Sequence, residues 1–278
     1  MAALLELDHL TKRFGSVVVA HELSFTVGAG DAVGIVGPNG AGKTSLFGVI
    51  TGDLRPDGGE VVFDGSPVTR LDPAIRCRLG IARTYQVPRP FEDMTVFENV
   101  LVATQQGAGR RGSAAYGATA DLLERTGLHG HANDPAGRLG LLQRKRLELA
   151  RALATNPRLL LLDEVAGGLT DPEMVELVDV VRGALAEGVA VVWVEHVVRA
   201  LLGTVVRLIA LAGGRIIGEG PPAEVLASAE VREVFLGTAP AGTAAAEAAV
   251  ALAAAGAPPA AEPAPDGPPA PGDGGASG

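Results

Sequence analysis

The sequence predicts an α/β fold built around a mainly parallel sheet, with an antiparallel β-subdomain near its N-terminus. Three short segments, 32–36, 159–162 and 189–194, are apolar at every position or nearly so, as strands are when both faces of a parallel sheet are covered. A segment with helical periodicity, 172–187, separates the second from the third. Strand, helix and strand in this order indicate an α/β core.

The antiparallel subdomain is predicted from runs on both sides of the first apolar segment. Short β-like runs with a period near two occur at 4–7, 17–20, 23–27 and 60–63, and Asp64-Gly65 follows the last of these runs. A period near two, ended by a turn, is typical of antiparallel strands with one buried face.

The middle of the chain interrupts this pattern. Residues from about 88 to 158 are mainly helical in periodicity, with a Gly/Arg-rich loop at 107–112. After the third apolar strand, 205–211 and 215–218 flank Ala212-Gly213-Gly214 and predict a hairpin. The sequence therefore predicts one domain over 1–237 with a helical subdomain at about 88–158.

Composition changes sharply after this domain. Residues 238–278 contain 17 Ala, 8 Pro and 7 Gly, four acidic residues and no Lys or Arg, so we predict a disordered tail. The whole chain has a formal net charge of −9, which argues against binding nucleic acid by bulk charge. The single cysteine, Cys77, excludes an internal disulfide and a zinc site built from several cysteines.

The most specific motif follows the first apolar strand and precedes a predicted helix at 44–50. It fits the pattern G-x4-G-K-[ST], in which glycines let backbone N–H groups face a phosphate and the helix N-terminus adds a positive dipole. Lys43 would bridge the β- and γ-phosphates, and the hydroxyl group of Thr44 would hold Mg²⁺. The phosphate-binding candidates are Gly37, Pro38, Asn39, Gly40, Ala41, Gly42, Lys43 and Thr44, followed by Ser45.

Two carboxylates follow the second apolar strand. Asp163 and Glu164 come directly after four leucines, at the strand end where ligands of α/β sheets bind. Asp163 would position Mg²⁺, and Glu164 would act as the general base for an attacking water. An acidic cap on the strand is the alternative, and the phosphate loop favours the catalytic interpretation. These two motifs together predict a P-loop NTPase core.

With Gln86 between these motifs and His196 after the third strand, the chain resembles ABC-type ATP-binding cassettes. The resemblance covers about 4–237. It implies that Gln86 senses Mg²⁺ and the attacking water, that His196 contacts the γ-phosphate, and that Phe14 stacks on adenine. Burial in a β-core is the alternative for Phe14.

The segment that matches the family's signature motif departs from it. Where such cassettes have a Leu-Ser-Gly-Gly-Gln-like stretch facing the ATP of a partner subunit, this chain has Leu139, Gly140, Leu141, Leu142 and Gln143. Gly140 replaces the hydroxyl residue and Leu142 replaces a glycine, so we expect a lost hydrogen bond and a more crowded backbone. The basic run 144–146 is interpreted as the solvated face of the following helix.

Two smaller departures lie after Glu164. Val165 stands where the family usually has Pro. Thr170 stands where the family has an aspartate in the following loop. In a homodimer the altered signature would weaken both ATP sites, and in a heterodimer only one. We predict that ATP binding and hydrolysis are retained.

Several stretches, among them 80–86, 94–100 and 214–220, resemble the ATPase subunits of branched-chain amino acid importers in particular. This implies ATP and Mg²⁺ as cofactors, and a second cassette, two membrane permease subunits and, indirectly, a solute-binding protein as partners. It also implies a peripheral position on the cytoplasmic face of the membrane and no nucleic acid. Two alternatives stay open: a regulatory nucleotide-binding subunit with impaired hydrolysis, and a soluble ABC ATPase outside transport.

Overall fold

Two β-sheets organise residues 3–237, the part of the chain that this computed structural model describes, with side chains as far as Val234. The predicted tail, 238–278, lies outside the described residues. The first sheet is antiparallel and consists of β1 (Ala3–Phe14), β2 (Val17–Gly28), β4 (Gly58–Phe63) and β5 (Ser66–Pro67). Its strand order is β2-β1-β4-β5.

The second sheet has six strands: β3 (Ala32–Val36), β6 (Ile81–Arg83), β7 (Leu159–Asp163), β8 (Ala190–Val194), β9 (Arg207–Ala212) and β10 (Arg215–Gly220). Their order is β10-β9-β3-β8-β7-β6. All neighbours pair in parallel except β10, which is antiparallel to β9. The predicted fold class, an α/β protein with a mainly parallel sheet and an antiparallel β-subdomain, is confirmed.

Both faces of the six-stranded sheet are covered, which explains its continuously apolar strands. In β7, Leu159 and Leu161 belong to a core shared with the antiparallel sheet and the helix after β3. Leu160 and Leu162 belong to a second core, formed with the helices of the other face. Because successive side chains of a strand point to opposite faces, a strand buried on both sides is apolar at consecutive positions, and the one polar residue of β7, Asp163, stands at its end.

The helices are α1 (Lys43–Thr51), α2 (Pro73–Leu79), α3 (Val96–Gln106), α4 (Gly112–Arg125), α5 (Leu141–Ala154), α6 (Asp171–Ala186), α7 (Val198–Leu201), α8 (Pro222–Ala227) and α9 (Ala229–Gly237). Single 3₁₀ turns at His129–His131 and Ala136–Arg138 lie between α4 and α5. Helices α3, α4 and α5, which follow β6 and precede β7 in the sequence, pack against one another. Within residues 3–237, none of the helices combines the length and apolar character needed to cross a bilayer.

Two expectations about strands are corrected. The runs 17–20 and 23–27 belong to one strand, β2, in which Glu22 adopts a positive φ of 51° and shifts the pairing with β1. Strand β1 likewise continues past His9, whose φ is 47°, to Phe14. These irregularities interrupt the alternation of apolar residues without ending the strand. Strand β6 was not predicted, since three residues are too few to show a period.

Candidate functional site

An open cleft of about 390 Å³ lies where β3 and β7 end. We call it the phosphate-loop cleft. The residues that line it come from β2, from the loop between β3 and α1, from α1 itself and from two distant loops. They are Val19, Asn39, Gly40, Ala41, Gly42, Lys43, Thr44, Ser45, Gln86 and Glu164. Tertiary structure therefore brings Gln86 and Glu164, which were predicted from separate motifs, to the phosphate loop.

Two glycines of the loop are required by close backbone contacts. A Cβ on Gly42, whose φ is 99°, would lie 1.9 Å from the carbonyl oxygen of Val19. A Cβ on Gly37 would lie 2.3 Å from the carbonyl oxygen of Leu211. Both distances are far below van der Waals contact, so no larger residue fits without moving β2 or β9. The loop is held against these strands, and its backbone faces the cleft.

Lys43 is the first residue of α1, and its side chain is buried. Its Nζ donates hydrogen bonds to the carbonyl oxygens of Gly37 at 2.7 Å and Pro38 at 3.0 Å. Burial lowers the pKa of Lys43, while the nearby carboxylates of Glu164 and Asp163 raise it. The first turn of α1 contains no acidic residue, so the helix N-terminus and the ammonium group together suit an anion.

Asp163 ends β7 with only 1% of its surface exposed. Arg83 of β6 donates from Nη2 to Asp163 Oδ2 at 2.7 Å. Burial raises the pKa of Asp163, and the hydrogen bond and charge of Arg83 oppose that rise. The other oxygen, Oδ1, is buried and has no hydrogen-bond partner among the described residues. An unpaired, buried carboxylate oxygen fits a hard cation such as Mg²⁺.

Glu164 connects three loops. Gln86 donates from Nε2 to Glu164 Oε2, and His196 Nε2 lies 2.5 Å from Glu164 Oε1. Burial raises the pKa of this carboxyl group, but the hydrogen bond and charge of His196, with the charges of Lys43 and Lys145, outweigh burial and lower it. Glu164 is therefore ionised at neutral pH and can accept a proton.

Phe14 lies apart from this group. It ends β1, pairs with Val17 across the hairpin, and leaves 48% of its surface exposed. Lys12 Nζ lies 5.3 Å from the centre of its ring. Phe14 does not line the phosphate-loop cleft, although Val19 of the same hairpin does. The alternative of a buried core phenylalanine is wrong, because nearly half of the side chain faces solvent.

The predicted signature segment lies at the start of α5. Gly140 is the N-cap residue and provides no side-chain cap. Leu139 and Leu142 are buried, whereas 48% of Leu141 is exposed. A Cβ on Gly168 would lie 3.2 Å from Leu141 Cδ2, so Leu141 rests against the loop that follows β7. The side chain that protrudes at this helix end is Leu141 and not Leu142, which corrects the expectation of crowding by Leu142.

The expectation that 144–146 form a solvated face is wrong. Arg144 donates to the carbonyl oxygens of Leu139 and Gly137, and Arg146 pairs with Glu176 on α6. Lys145 is buried and donates to the carbonyl oxygen of Glu164 at 3.3 Å. All three cations bind other parts of the chain: Arg144 and Lys145 bind carbonyl oxygens of neighbouring loops, and Arg146 binds a carboxylate of α6.

Sequence analysis missed three residues that contact the site from behind. Arg83 pairs with Asp163, Lys145 contacts the backbone of Glu164, and Glu195 accepts a hydrogen bond from the N–H of Ala166 at 2.7 Å. The sequence contains only a weak indication of Arg83 and Glu195: Arg83 lies close to Gln86, and Glu195 directly precedes His196. Lys145 had one available indication: it is one of three lysines in a chain with twenty arginines.

Comparison with known proteins agrees with this geometry. Residues 20–167 match the family model described as ABC transporter. The chain is 34% identical over 251 residues to the high-affinity branched-chain amino acid transport ATP-binding protein LivG of Salmonella typhimurium, which covers 85% of this chain and 98% of the relative. It is 34% identical over 237 residues, with the same coverage, to the lipopolysaccharide export system ATP-binding protein LptB of Acidithiobacillus ferridurans.

Solved structures extend the likeness to the fold. A nucleotide-free ATP-binding cassette from an ABC transporter superposes with a TM-score of 0.77 at 30% identity, covering 84% of this chain and 99% of its own. The ADP conformation of an ATP-binding cassette gives the same TM-score and identity, with 85% and 100% coverage. Sequence and structure agree: the chain belongs to the ABC transporter family, as a nucleotide-binding, ATP-hydrolysing cassette.

Proposed function

We propose that this chain is the ATP-binding and ATP-hydrolysing subunit of an ABC importer for branched-chain or related amino acids. Hydrolysis is supported above all by one observation: the ionised Glu164 carboxylate bonds both Gln86 and His196 at the edge of the phosphate-loop cleft. The cargo is supported by the names of two relatives, LivG and BraF; the latter, from Pseudomonas aeruginosa, is 33% identical over 251 residues.

Nucleotide binding is assigned to the loop Gly37–Thr44 and to Ser45. Backbone N–H groups and the N-terminus of α1 bind the phosphates, and Lys43 exchanges its two carbonyl partners in the loop for phosphate oxygens. Burial disfavours the charged ammonium group, as its lowered pKa indicates, and an anion compensates that charge better than carbonyl dipoles do. Phe14, exposed on the hairpin beside the cleft, provides a ring for the adenine base.

Thr44, Gln86 and Asp163 would hold Mg²⁺. The unpaired Oδ1 of Asp163 is the strongest support, since a buried carboxylate oxygen without a partner is otherwise costly. When bound, the ion neutralises charge on the β- and γ-phosphates. Arg83 occupies Oδ2 and leaves Oδ1 available.

Hydrolysis requires a base and groups that stabilise the transferring phosphoryl group. Glu164 accepts a proton from water as the water oxygen bonds to the γ-phosphorus, and the bond from that phosphorus to the β–γ bridging oxygen breaks, releasing ADP and phosphate. Gln86 orients the water, and His196 donates towards the γ-phosphate. Both side chains already contact the Glu164 carboxylate in this structure.

The wider assembly follows from the resemblance. A second cassette supplies a signature segment equivalent to residues 139–143 across each ATP, and two permease subunits contact the cassettes on the cytoplasmic face of the membrane. The surface after Gln86 suits such a contact, because Val87 and Phe91 are exposed apolar residues. A solute-binding protein would interact only through the permeases. The acidic balance of the chain gives no support for a nucleic-acid partner.

One observation favours the alternative of a regulatory subunit. Gly140 has no side chain to hydrogen-bond a γ-phosphate, and a lost charge-assisted bond costs about 1.5–3 kcal/mol. This penalty falls on the ATP held by the partner. If this chain pairs with a cassette whose signature is normal, the ATP bound by this chain is hydrolysed at the full rate. Only hydrolysis of the ATP bound by the partner is then impaired.

The decisive test is Glu164→Gln in the purified full-length chain. We expect the ATPase rate to fall at least about 100-fold, because a general base contributes about 10²–10⁴-fold, while ATP stays bound. Glu187→Gln is the matched control, since Glu187 is an exposed carboxylate paired with Arg125 far from the cleft. An unchanged rate in Glu164→Gln would exclude the assignment.

The cargo needs its own test. Uptake of labelled leucine, isoleucine and valine is compared in cells that carry wild-type or Glu164→Gln chain. We expect uptake to be lost in the variant. Equal uptake in both strains would separate this chain from amino-acid import without affecting its assignment as an ATPase.

A further inference from the structure

The turn at residues 164–166 holds Glu164 in a conformation that needs support. Glu164 has a φ of 49°, in the left-handed region that non-glycine residues rarely adopt. The next residue, Val165, does not restrict the backbone in the way a proline would. Such a conformation persists only where surrounding contacts hold it.

Three hydrogen bonds from other parts of the chain support the turn, at the N–H and carbonyl groups of Glu164 and at the N–H of Ala166. The N–H of Glu164 donates to the carbonyl oxygen of Val194 at 2.9 Å. The carbonyl oxygen of Glu164 accepts from Lys145 Nζ at 3.3 Å. The N–H of Ala166 donates to Glu195 Oε1 at 2.7 Å. Two of the three partners are side chains, and they come from α5 and from the loop after β8.

Both side chains are buried, one basic and one acidic, and burial raises the pKa of Glu195. Lys145 is 5% exposed and Glu195 is 1% exposed. Burial lowers the pKa of Lys145, and the carboxylates of Glu195 and Glu164 oppose this. Glu195 is also hydrogen-bonded by Trp193 Nε1 at 3.2 Å. Burying two charged groups is costly unless each has compensating partners, and here those partners belong to the turn that positions Glu164.

Neither Lys145 nor Glu195 lines the phosphate-loop cleft. Their contacts therefore bear on the position of Glu164 and not on nucleotide. A misplacement of about 1 Å in a catalytic group can lower a rate about 100-fold. Contacts that fix the position of this turn can therefore affect the rate of hydrolysis.

We propose that Lys145 and Glu195 are positioning residues, which clamp the two ends of the 164–166 turn so that the Glu164 carboxylate stays between Gln86 and His196. We call this pair the Lys145–Glu195 clamp. Lys145 lies in α5, directly after residues 139–143, so the clamp also links the chain's own signature helix to its own general base. The inference rests on the proposed role of Glu164.

The test compares variants of the full-length chain. Glu195→Ala removes the acceptor for Ala166, while Glu195→Gln keeps an oxygen acceptor in the same place. Lys145→Met removes the donor to Glu164 at similar size. Arg146→Met is its matched control, because Arg146 lies next to Lys145 on α5 but pairs with Glu176 instead of the turn.

We expect Glu195→Ala and Lys145→Met to lower kcat about tenfold to 100-fold, with the Kd for a non-hydrolysable ATP analogue changed less than about threefold. Glu195→Gln and Arg146→Met should keep kcat within about threefold of wild type. In a Glu164→Gln background, adding Glu195→Ala should cause no further loss, because the clamp acts through Glu164.

The single tryptophan of the chain provides a direct readout. Trp193 donates to the same Glu195 oxygen as Ala166, so its indole N–H resonance reports on that acceptor. We expect a marked upfield shift of this resonance in Glu195→Ala and a near wild-type position in Glu195→Gln. A scaffold defect elsewhere would not separate these two variants in this way.

Three results would overturn the clamp: a raised Kd with unchanged kcat, equal loss in Glu195→Ala and Glu195→Gln, or a full further loss in the Glu164→Gln background. Should Glu195→Ala not fold, Lys145→Met against Arg146→Met decides the question, and equal rates for those two reject the clamp. An unaffected Glu164→Gln variant contradicts the proposed function itself, which keeps the two failures distinct.

Discussion

Gly40 and Gly42 differ in what surrounds them, although both have positive φ. Gly40, at φ 80°, has no atom within 4 Å of a Cβ position, whereas Gly42, at φ 99°, has a carbonyl oxygen at 1.9 Å. A left-handed non-glycine residue costs about 1–2 kcal/mol, and a backbone collision adds to this. The same motif thus contains a tolerant and an intolerant glycine.

We predict that Gly40→Ala weakens nucleotide binding only moderately, while Gly42→Ala abolishes it. The alanine methyl group at position 42 must displace β2 or the loop, and the N-terminus of α1 moves with it. Titration with a fluorescent ATP analogue, alongside thermal unfolding, measures both effects. Equal affinities for the two variants would contradict this view of the loop.

Arg83 shows how one side chain can serve a site without lining it. It pairs with Asp163, and its Nη1 lies 3.8 Å from Asp53 Oδ2. Its guanidinium carbon lies 5.0 Å from the ring centre of Tyr85. The fixed planar fork of arginine suits this combination of an ion pair and ring contacts. Local sequence contains no indication of it, since Asp163 is eighty residues away.

Helix α3 begins with a complete capping box. Thr95 Oγ1 accepts from the N–H of Glu98 at 3.1 Å, and Glu98 Oε2 accepts from the N–H of Thr95 at 2.8 Å. Two of the N–H groups at the start of the helix are thereby satisfied. This box defines where α3 begins, after the exposed segment that contains Phe91.

We predict that Thr95→Ala lowers the free energy of unfolding by about 1 kcal/mol, because the N–H of Glu98 loses its acceptor. Thr95→Ser is the matched control and should stay close to wild type, since it keeps the hydroxyl group. Urea denaturation followed by circular dichroism measures the difference. A loss of the same size in Thr95→Ser would implicate the threonine methyl group instead.

The same box predicts a pH dependence. The backbone and side-chain hydrogen bonds from Thr95 lower the pKa of Glu98 below its ordinary 4.5. A carboxyl group with a depressed pKa stabilises the fold above its unfolded-state value and loses that contribution as pH falls through its folded-state value. Glu98→Gln should therefore be less stable than wild type at pH 7, and the gap should close in acid. A gap that widened in acid would contradict the assignment.

In the proposed dimer, the start of α5 would act on the ATP of the neighbouring chain and not on its own. Gly140 has φ −69° and ψ 175°, which any residue can adopt. A Cβ there would meet only Gln143 Oε1, at 2.9 Å, the far end of a flexible side chain. A serine therefore fits if Gln143 moves slightly.

We predict that Gly140→Ser raises the ATPase rate of a homodimer about tenfold or more, because the new hydroxyl group donates a charge-assisted hydrogen bond to the partner's nucleotide, worth about 1.5–3 kcal/mol, and 1.4 kcal/mol is about tenfold. The rate is measured against protein concentration, so that dimer formation and turnover are separated. Gly130→Ser is the control, as a Cβ there would meet nothing within 4 Å. An unchanged Gly140→Ser rate would place this segment outside the hydrolytic site.

Several elements were predictable from sequence because their signals are local. Strand β3, the phosphate loop and α1 form one continuous stretch, and an apolar run followed by glycines and Lys43 identifies all three at once. Strand β7 with Asp163 is predictable for the same reason. Apolar runs predict that these strands are buried on both faces, because an unpaired polar side chain would be costly on either side.

Neighbour relations were not predictable, since they depend on strand order and helix packing. The order β8-β7-β6 brings Arg83 beside Asp163 and His196 beside Glu164. The packing of α5 turns 144–146 inward, where the sequence suggested a solvated face. Hydrophobic periodicity specifies which face of an element is buried but not which residue opposes it. For that reason the motifs of this cassette could be found in the sequence, whereas the contacts that position Glu164 emerge only when distant segments meet in the folded chain.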